Sequence, residues 1–377
     1  MNRRDISTLR SQIDQLDRQI LDLLGQRADL ALGIADWKQE HGWSAYDPER
    51  ERLILDDLVA TNRSALPEAA IRHIFGEIIS ACRAVQEPTT VAFLGPVATF
   101  SHMAAVKYFG RSCNFLPRRS ISDVFRDVEH GQSAFGVVPA ENSNQGAVGL
   151  TLDEWVTSDL KICGEILLPV SHALLSRGKD LASIQQVLSH PQALAQCRAW
   201  LSRNLPGADL VETASTAAAA QQAVEEQSSA AIGCEMLADQ YGLSMLARNI
   251  QDQALNLTRF FILGRLECPP GNRDKTSILF IAAHRPGALH EALSPLAEAG
   301  VNLTRIESRP TQNRPWEYVF FADLEGHQSS DRVCQALAAL SQRVEHFKIL
   351  GSYPAAEANN ESESDCLDTV TISACTR

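Results

Sequence analysis

The sequence predicts a multidomain chain in which an all-α three-helix unit, a two-lobed α/β unit and a small α+β unit follow one another. Three observations carry this. An apolar series at heptad spacing runs from Ile6 to Trp37. At Glu87-Pro88-Thr89-Thr90 the pattern switches to short apolar runs alternating with helical stretches, and a breaker-rich linker, Glu267 to Asp274, introduces a compact last segment. At 377 residues the chain has room for two or three domains of roughly 100 to 200 residues each. The expected boundaries are 1–87, 90–266 and 275–353, with 354–377 a polar, acidic tail expected to be disordered.

In the first unit Ile6, Leu9, Ile13, Leu16, Ile20, Leu23, Leu30, Ile34 and Trp37 step by threes and fours, the spacing of a long helix packed along a seam. Arg27 takes the seam position between Leu23 and Leu30. Asp47 can cap a second helix that starts at Pro48, and Pro67 can start a third through Ile71, Ile74, Phe75, Ile78, Ile79 and Cys82. In the second unit, Val91–Leu94, Phe135–Val138, Ile162–Val170, Val187–Leu188, Ala230–Ile232 and Phe260–Leu263 read as strands separated by helices. Such alternation predicts a largely parallel sheet. The last segment reads strand 276–283, helix 287–299, strand 302–308, strand 316–323, helix 331–340 and strand 347–353, the ferredoxin-like βαββαβ order.

Apolar residues at 45% and charged residues at 21% are ordinary for soluble globular chains. With 34 basic against 46 acidic residues, net −12, neither an extended phosphate-binding surface nor a nucleic-acid partner is expected, although a local basic pocket can sit inside an acidic protein. The nine cysteines show no metal-like spacing, so a reducing cytoplasm is expected and no metal. No 18-residue uncharged apolar run occurs and the first ten residues are polar, so neither membrane association nor a standard export signal is expected.

A guanidinium in an apolar seam needs an anion. Arg27 and Lys38 are 11 residues apart, about three turns or ~16 Å on one face, and can close on one small dianion. Arg10 lies 17 residues before Arg27, ~25 Å away along the helix, and could reach the same ligand only from a second chain. Taken singly, Arg50, Glu51 and Gln86 read as solvated charges or caps. Together, Arg10…Arg27…Lys38…Asp47…Arg50-Glu51…Cys82…Gln86 resembles the all-helical chorismate mutase family, whose members are intertwined dimers. The resemblance implies that Arg27 and the second chain's Arg10 hold the two carboxylates of chorismate, Lys38 and Gln86 the ether oxygen, and Glu51 the ring hydroxyl. Asp47 and Arg50 support them, and Cys82 stands where a hydroxyl residue occurs in relatives. A pericyclic rearrangement to prephenate needs preorganised charge and restraint, without a nucleophile or cofactor.

In the second unit four junctions read as passages from strand to helix: Leu94 to Ser101, Val138 to Gly146, Leu188 to Gln192 and Val211 to Thr216. Free N–H groups at helix N-termini bind carboxylates, and ligands of open α/β sheets collect at strand C-termini. Each junction alone also reads as ordinary capping, Glu141 could equally be a salt-bridged structural carboxylate, and His190 reads as a loop residue rather than a base. Gly95-Pro-x-x-Thr99-Phe-Ser101, Val138-Pro-x-Glu141-Asn142-Ser143, Ser189-His-Pro-Gln192, Ser215-Thr-Ala217 and Asn256-Leu-Thr258-Arg259-Phe260 resemble prephenate dehydratase. This implies a periplasmic-binding-like two-lobed fold with Thr258 in catalysis. Thr99, Ser101, Asn142, Ser143 and Ser215 would hold prephenate, Arg259 would close the pocket or orient Thr258, and Glu141 is a candidate acid. Ala98 stands where a glycine is common and Ala140 where a larger aliphatic residue is common.

Pro286-Gly287-Ala288-Leu289 and Glu307-Ser308-Arg309-Pro310 resemble the ACT regulatory domain appended to prephenate dehydratases. They imply a phenylalanine site built from Gly287, Ala288 and Leu289, with Glu307, Ser308 and Arg309 facing it across a dimer interface. Glu307 and Arg309 could otherwise form a local ion pair. The whole reads as a homodimeric or larger bifunctional enzyme, regulated by phenylalanine. A fusion to prephenate dehydrogenase would need a dinucleotide fingerprint, and no GxGxxG occurs. A ligand-sensing protein that has lost its chemistry is the non-enzymatic alternative, disfavoured by Lys38, Glu51, Gln86 and Thr258.

Overall fold

The computed structural model describes residues 6–41, 46–253, 255–311 and 318–356. The heptad series forms one uninterrupted helix, α1 (Ile6–Glu40). The predicted cap is present: the Arg50 backbone N–H donates to Asp47 Oδ1 at 3.0 Å, and Pro48 opens α2 (Pro48–Thr61). Pro67 precedes α3 (Glu68–Gln86), which packs on both other helices. The seam of α1 is not covered by the described residues. Ile13, Leu16, Ile20, Leu23, Leu30 and Ile34 are each more than half exposed.

The second unit has two lobes. The first is built from β1 (Thr90–Leu94), α4 (Phe100–Phe109), β2 (Asn114–Arg118), α5 (Ile121–Glu129), β3 (Phe135–Asn142), β4 (Gly146–Ala147), α6 (Gly149–Thr157) and β5 (Lys161–Pro169). The chain then crosses to β6 (Ala173–Ser176), β7 (Gln186–Ser189), α7 (Pro191–Gln196), α8 (Arg198–Asn204), β8 (Asp209–Glu212), α9 (Thr216–Ala223), β9 (Ser229–Gly233), α10 (Met236–Tyr241) and β10 (Ser244–Ala247). It returns as β11 (Leu257–Gly264). The sheets run β2-β1-β3-β11-β5, with β4 beside β3, and β10-β6-β9-β7-β8.

The sheets are mixed, not largely parallel as the alternation suggested. The returning β11 lies antiparallel to both β3 and β5, and β6 lies antiparallel to β9 and β10. Strand β11 re-enters the first lobe at the end where β5 leaves it, Leu257 opposite Pro169, so the two neighbours run in opposite directions. Strands β2, β4, β6 and β10 lie outside the expected runs. A second correction concerns Val138 to Gly146, which is a strand, turn and strand rather than a helix entrance, with β3 and β4 paired through Glu141 and Asn142.

The last unit keeps the expected order: β12 (Asp274–Ile281), α11 (Ala288–Glu298), β13 (Leu303–Pro310), β14 (Tyr318–Glu325), α12 (Asp331–Ser341) and β15 (His346–Pro354). Its sheet runs β13-β14-β12-β15. The expected start of the third strand, 316–317, and the tail from residue 357 fall outside the described residues. Alternation along β11 places the site. Phe260 and Ile262 join the core beneath α4 with Phe93 and Phe109, whereas Phe261 and Leu263 join a core continuous with Leu279, Phe321 and Tyr353 of the last unit. Successive side chains of a strand face opposite sides, so one face of β11 packs beneath α4 and the other against the C-terminal unit.

Candidate active sites

The helical site is assembled where the end of α1 meets the start of α2. Lys38, Tyr46, Asp47 and Pro48 line a cleft of about 270 Å³ whose far wall is Cys163, Leu266, Glu267, Cys268 and Pro269 from the second unit and linker. Arg27 is half-buried two to three turns earlier on α1 and forms no ion pair or hydrogen bond among the described residues. Arg10 and Arg50 are exposed, Gln86 is half-buried and Cys82 is buried. Burial pushes the Glu51 carboxyl above its ordinary range. Arg83 opposes that shift most strongly, Asp47 adds to it and Lys38 works against it. Arg83 is the residue sequence reasoning missed: its Nη1 donates to Glu51 Oε1 at 2.6 Å. A signal existed, because Arg83 follows Ile79 by four residues on the apolar stripe of α3, the same kind of seam cation as Arg27.

Thr258 is buried near the start of β11. In register, Thr258 lies opposite Asn142 of β3 and Leu168 of β5. Asn142 Nδ2 donates to Thr258 Oγ1 at 2.9 Å and to Asn256 Oδ1 at 2.7 Å. Asn142 Oδ1 accepts the backbone N–H groups of Asn144 and Gln145 at 3.0 and 3.2 Å, an Asx turn that immobilises the amide. Ser143 is locked to β11, its N–H donating to the Leu257 carbonyl at 2.8 Å and its Oγ accepting from the Leu257 N–H at 3.0 Å. Asn256 is thus a further site residue, buried and paired to Asn142, that was read only as part of a motif.

Thr99 caps α4, accepting from the His102 N–H at 3.4 Å and donating to the Pro96 carbonyl at 3.0 Å. Ser215 caps α9, accepting from the Ala218 N–H at 3.0 Å. Ser101 is buried in the first turn of α4. Across the mouth, Gln192 Nε2 of α7 donates to Gln145 Oε1 at 2.8 Å, tying the lobes together. His190 is an N-cap of α7, as a loop residue would be.

Two expected substrate contacts are placed elsewhere. Arg259 and Glu141 are one residue removed from Thr258 and Asn142, so the strand alternation turns them to the opposite face. There Arg259 Nε donates to Glu165 Oε2 at 2.6 Å, Nη1 to Asp323 Oδ2 at 2.5 Å and Nη2 to the Tyr353 hydroxyl at 3.1 Å. Arg305 pairs with Glu141 at 3.0 Å and Lys275 with Glu165 at 2.8 Å. Burial disfavours the charged guanidinium, yet Tyr353, Asp323 and Glu165 hold its pKa above the ordinary arginine value. The arginine joins the second and third units instead of closing the pocket.

Ala98 has φ 59° and is fully buried. A left-handed backbone costs a non-glycine residue roughly 1–2 kcal/mol, partly offset by the ~0.5–1 kcal/mol that glycine loses in ordering. Ala98→Gly is therefore expected to stabilise the second unit by about 1 kcal/mol or less, read as a raised thermal midpoint. An unchanged or lower midpoint would show that the strain is relieved in solution.

In the last unit Gly287 has φ 82° at the entrance to α11. Ala288 and Leu289 line a cavity of about 430 Å³ with Ala282, His284, Tyr318 and Phe320. Glu307, Ser308 and Arg309 do not line it. They lie on edge strand β13, and Arg309 Nη2 donates to Asp153 Oδ2 of α6 at 2.8 Å, so its ion pair spans two units rather than being local.

Residues 9–87 match the family model for type II chorismate mutase, 91–268 that for prephenate dehydratase and 276–342 that for the ACT domain. A bifunctional chorismate mutase/prephenate dehydratase of Aquifex aeolicus is 44% identical over 356 residues, covering 93% of this chain and 98% of that protein. The chain belongs to the bifunctional chorismate mutase/prephenate dehydratase family. A solved prephenate dehydratase from Arthrobacter aurescens, in complex with L-Phe, is 37% identical with a TM-score of 0.65. It covers 71% of this chain and 90% of its own. A second solved structure, described as a novel type of quorum quenching acylase, is 33% identical with a TM-score of 0.64 over 71% of this chain and 98% of its own. In family terms the three units are a mutase, a dehydratase and an ACT unit, and among the described residues no helix is long and apolar enough to cross a membrane.

Proposed function

We propose that the chain converts chorismate to prephenate in the mutase unit and prephenate to phenylpyruvate in the dehydratase unit, with phenylalanine acting as feedback inhibitor through the ACT unit. The observation that carries the second reaction is the Asn142–Thr258 hydrogen bond. Loss of CO₂ and the ring hydroxyl aromatises the ring, and the departing hydroxide must receive one proton to leave as water. Asn142 occupies a lone pair of Thr258 Oγ1, which leaves the threonine proton available to the hydroxyl of the substrate. Thr258 is too weak an acid to give that proton up outright, so it acts as hydrogen-bond donor or relay. Asn142 and Ser143, fixed by the turn and by β11, form the wall that holds prephenate, with Thr99, Ser101 and Ser215 at the surrounding helix starts. An acylase would instead need an activated nucleophile. Among the described residues no histidine or carboxylate side chain is hydrogen-bonded to Thr258 or Ser143.

In the mutase unit, Lys38 and Gln86 take the ether oxygen, Glu51 the ring hydroxyl and Arg27 one carboxylate, with Asp47, Arg50 and Cys82 in support. The second carboxylate goes to Arg10 of another copy. The uncovered seam of α1 supports a homodimer, since burying it against a second α1 removes the exposed leucines and isoleucines from water. Mixing Arg10→Ala chains with Lys38→Ala chains is then expected to restore mutase activity, on the order of a quarter of the wild-type sites for random pairing of a two-fold dimer. Verified heterodimers without activity would rule out the shared pocket. The cavity at Ala288 and Leu289 is the effector site, with Glu307, Ser308 and Arg309 approaching from a second ACT unit. The seven described cysteines are unpaired, in keeping with a cytoplasmic protein. Following chorismate consumption and phenylpyruvate release, with and without phenylalanine, tests the whole reading. Absence of either product sinks the corresponding half.

A further inference from the structure

Arg83 is the most deeply buried charge of the mutase unit, 4% exposed, and its contacts run in two directions. On one side, Nη1 donates to Glu51 Oε1 at 2.6 Å; Glu51 lines a cavity beside the Lys38 cleft, sharing Tyr46 and Pro48 with it. Toward the dehydratase unit, Nη2 donates to the carbonyl of Phe109, the last residue of α4, at 2.5 Å. The guanidinium carbon lies 5.0 Å from the ring centre of Tyr46 and 5.8 Å from that of Phe109, cation–π distances. Around this contact the units are held by further bonds. The Arg111 N–H donates to Glu77 Oε2 at 3.2 Å and the Ser112 N–H to Ser80 Oγ at 3.4 Å.

Resting on the assignment of Glu51 to the chorismate ring hydroxyl, we propose that Arg83 is a positioning residue of the mutase site. It holds the Glu51 carboxylate in place while anchored to the dehydratase unit, so that the geometry of the first reaction depends on the docking of the second unit. A planar guanidinium can serve a carboxylate and a carbonyl at once from two nitrogens, and a lysine ammonium on a flexible stem cannot hold both in a fixed geometry. The charged and titratable groups around Glu51 are Lys38 at the end of α1, Asp47 at the cap of α2 and Arg83 on α3, with Tyr46, Tyr108 and Cys113 beyond them, and Arg52, Arg72, Lys107 and Glu165 share its cavity. Burial and Asp47 favour the protonated acid, and Arg83 is the largest influence against it. Removing Arg83 therefore raises the Glu51 pKa further. At a fixed pH less carboxylate is available to accept from the ring hydroxyl, and the deficit shrinks as pH rises.

The test uses the full-length enzyme and begins with wild-type chorismate turnover, since an inactive wild type would refute the reading of the site and not this proposal. Arg83→Leu is expected to lower mutase kcat/KM roughly ten- to hundred-fold, the scale of one charge-assisted hydrogen bond. It should also move the acid limb of its pH profile upward and leave prephenate dehydration unchanged. Arg83→Lys is expected to keep the acid limb near that of wild type, because the cation stays, while kcat falls as the link to Phe109 is lost. A folded Arg83→Leu enzyme with a wild-type acid limb overturns the role at Glu51. Arg83→Lys with wild-type kcat overturns the dependence on docking and decides that point even where Arg83→Leu does not fold.

Discussion

Lys38→Ala is expected to lower mutase kcat/KM by at least 10²- to 10³-fold, while Thr258→Ala lowers dehydratase kcat by 10²- to 10⁴-fold, each leaving the other activity intact. The first magnitude is that of removing one preorganised donor from a site where charge develops in the transition state. In the rearrangement that charge falls on the ether oxygen, and Lys38 lines the cleft. The second is the range for a group that assists proton transfer, and the Thr258 hydroxyl is the side chain to which Asn142 is aimed. The sites are separate: Thr258 is on β11 beside Asn142 of β3, whereas Lys38 is at the end of α1. Separate assays of chorismate loss and of phenylpyruvate formation from supplied prephenate check both. Loss of both activities in either folded variant would contradict separate sites, and wild-type dehydration by Thr258→Ala would remove that hydroxyl from catalysis.

Asp323→Ala is expected to destabilise the junction of dehydratase and ACT units by roughly 3–5 kcal/mol, the cost of removing one partner from a buried ion pair. Asp323 is 3% exposed and accepts from Arg259 at 2.5 Å and from the Ser277 hydroxyl at 2.5 Å. Without it the guanidinium keeps Glu165 and the Tyr353 hydroxyl, and Ser277 keeps only Tyr353. The cluster balances Arg259, Lys275 and Arg305 against Glu141, Glu165 and Asp323, so deleting one carboxylate leaves excess positive charge in a poorly solvated place. The loss is read in the urea midpoint of the dehydratase–ACT transition, followed apart from that of the mutase unit because a three-unit chain need not unfold in one step. A change under about 1 kcal/mol would mean that water reaches the cluster.

Much of this molecule was legible along the chain because local rules govern it. The heptad spacing from Ile6 to Trp37 yields one helix, as 3.6-residue periodicity demands. Asp47-Pro48 caps and opens α2 in the expected geometry, and the βαββαβ order survives as written. Thr99 and Ser215 do at helix starts what short polar side chains do there. The same local reading failed where direction in space mattered. Thr258-Arg259 and Glu141-Asn142 were read as one constellation because they are adjacent in sequence, and the pleat sends them to opposite faces of one sheet.

Residue types and their spacing were enough to define three folded units, the cations of the mutase helix and the hydroxyl and amide set of the dehydratase cleft, since each depends on neighbours within a turn or a strand. Long-range packing alone could reveal that β11 runs against its neighbours, that Arg259 and Arg309 bind across unit boundaries, and that Arg83 stands between Glu51 and Phe109. Those partners are 26 to 156 residues apart. A buried charge takes whichever counter-charge the fold brings to it, and no sequence periodicity encodes a contact across that distance.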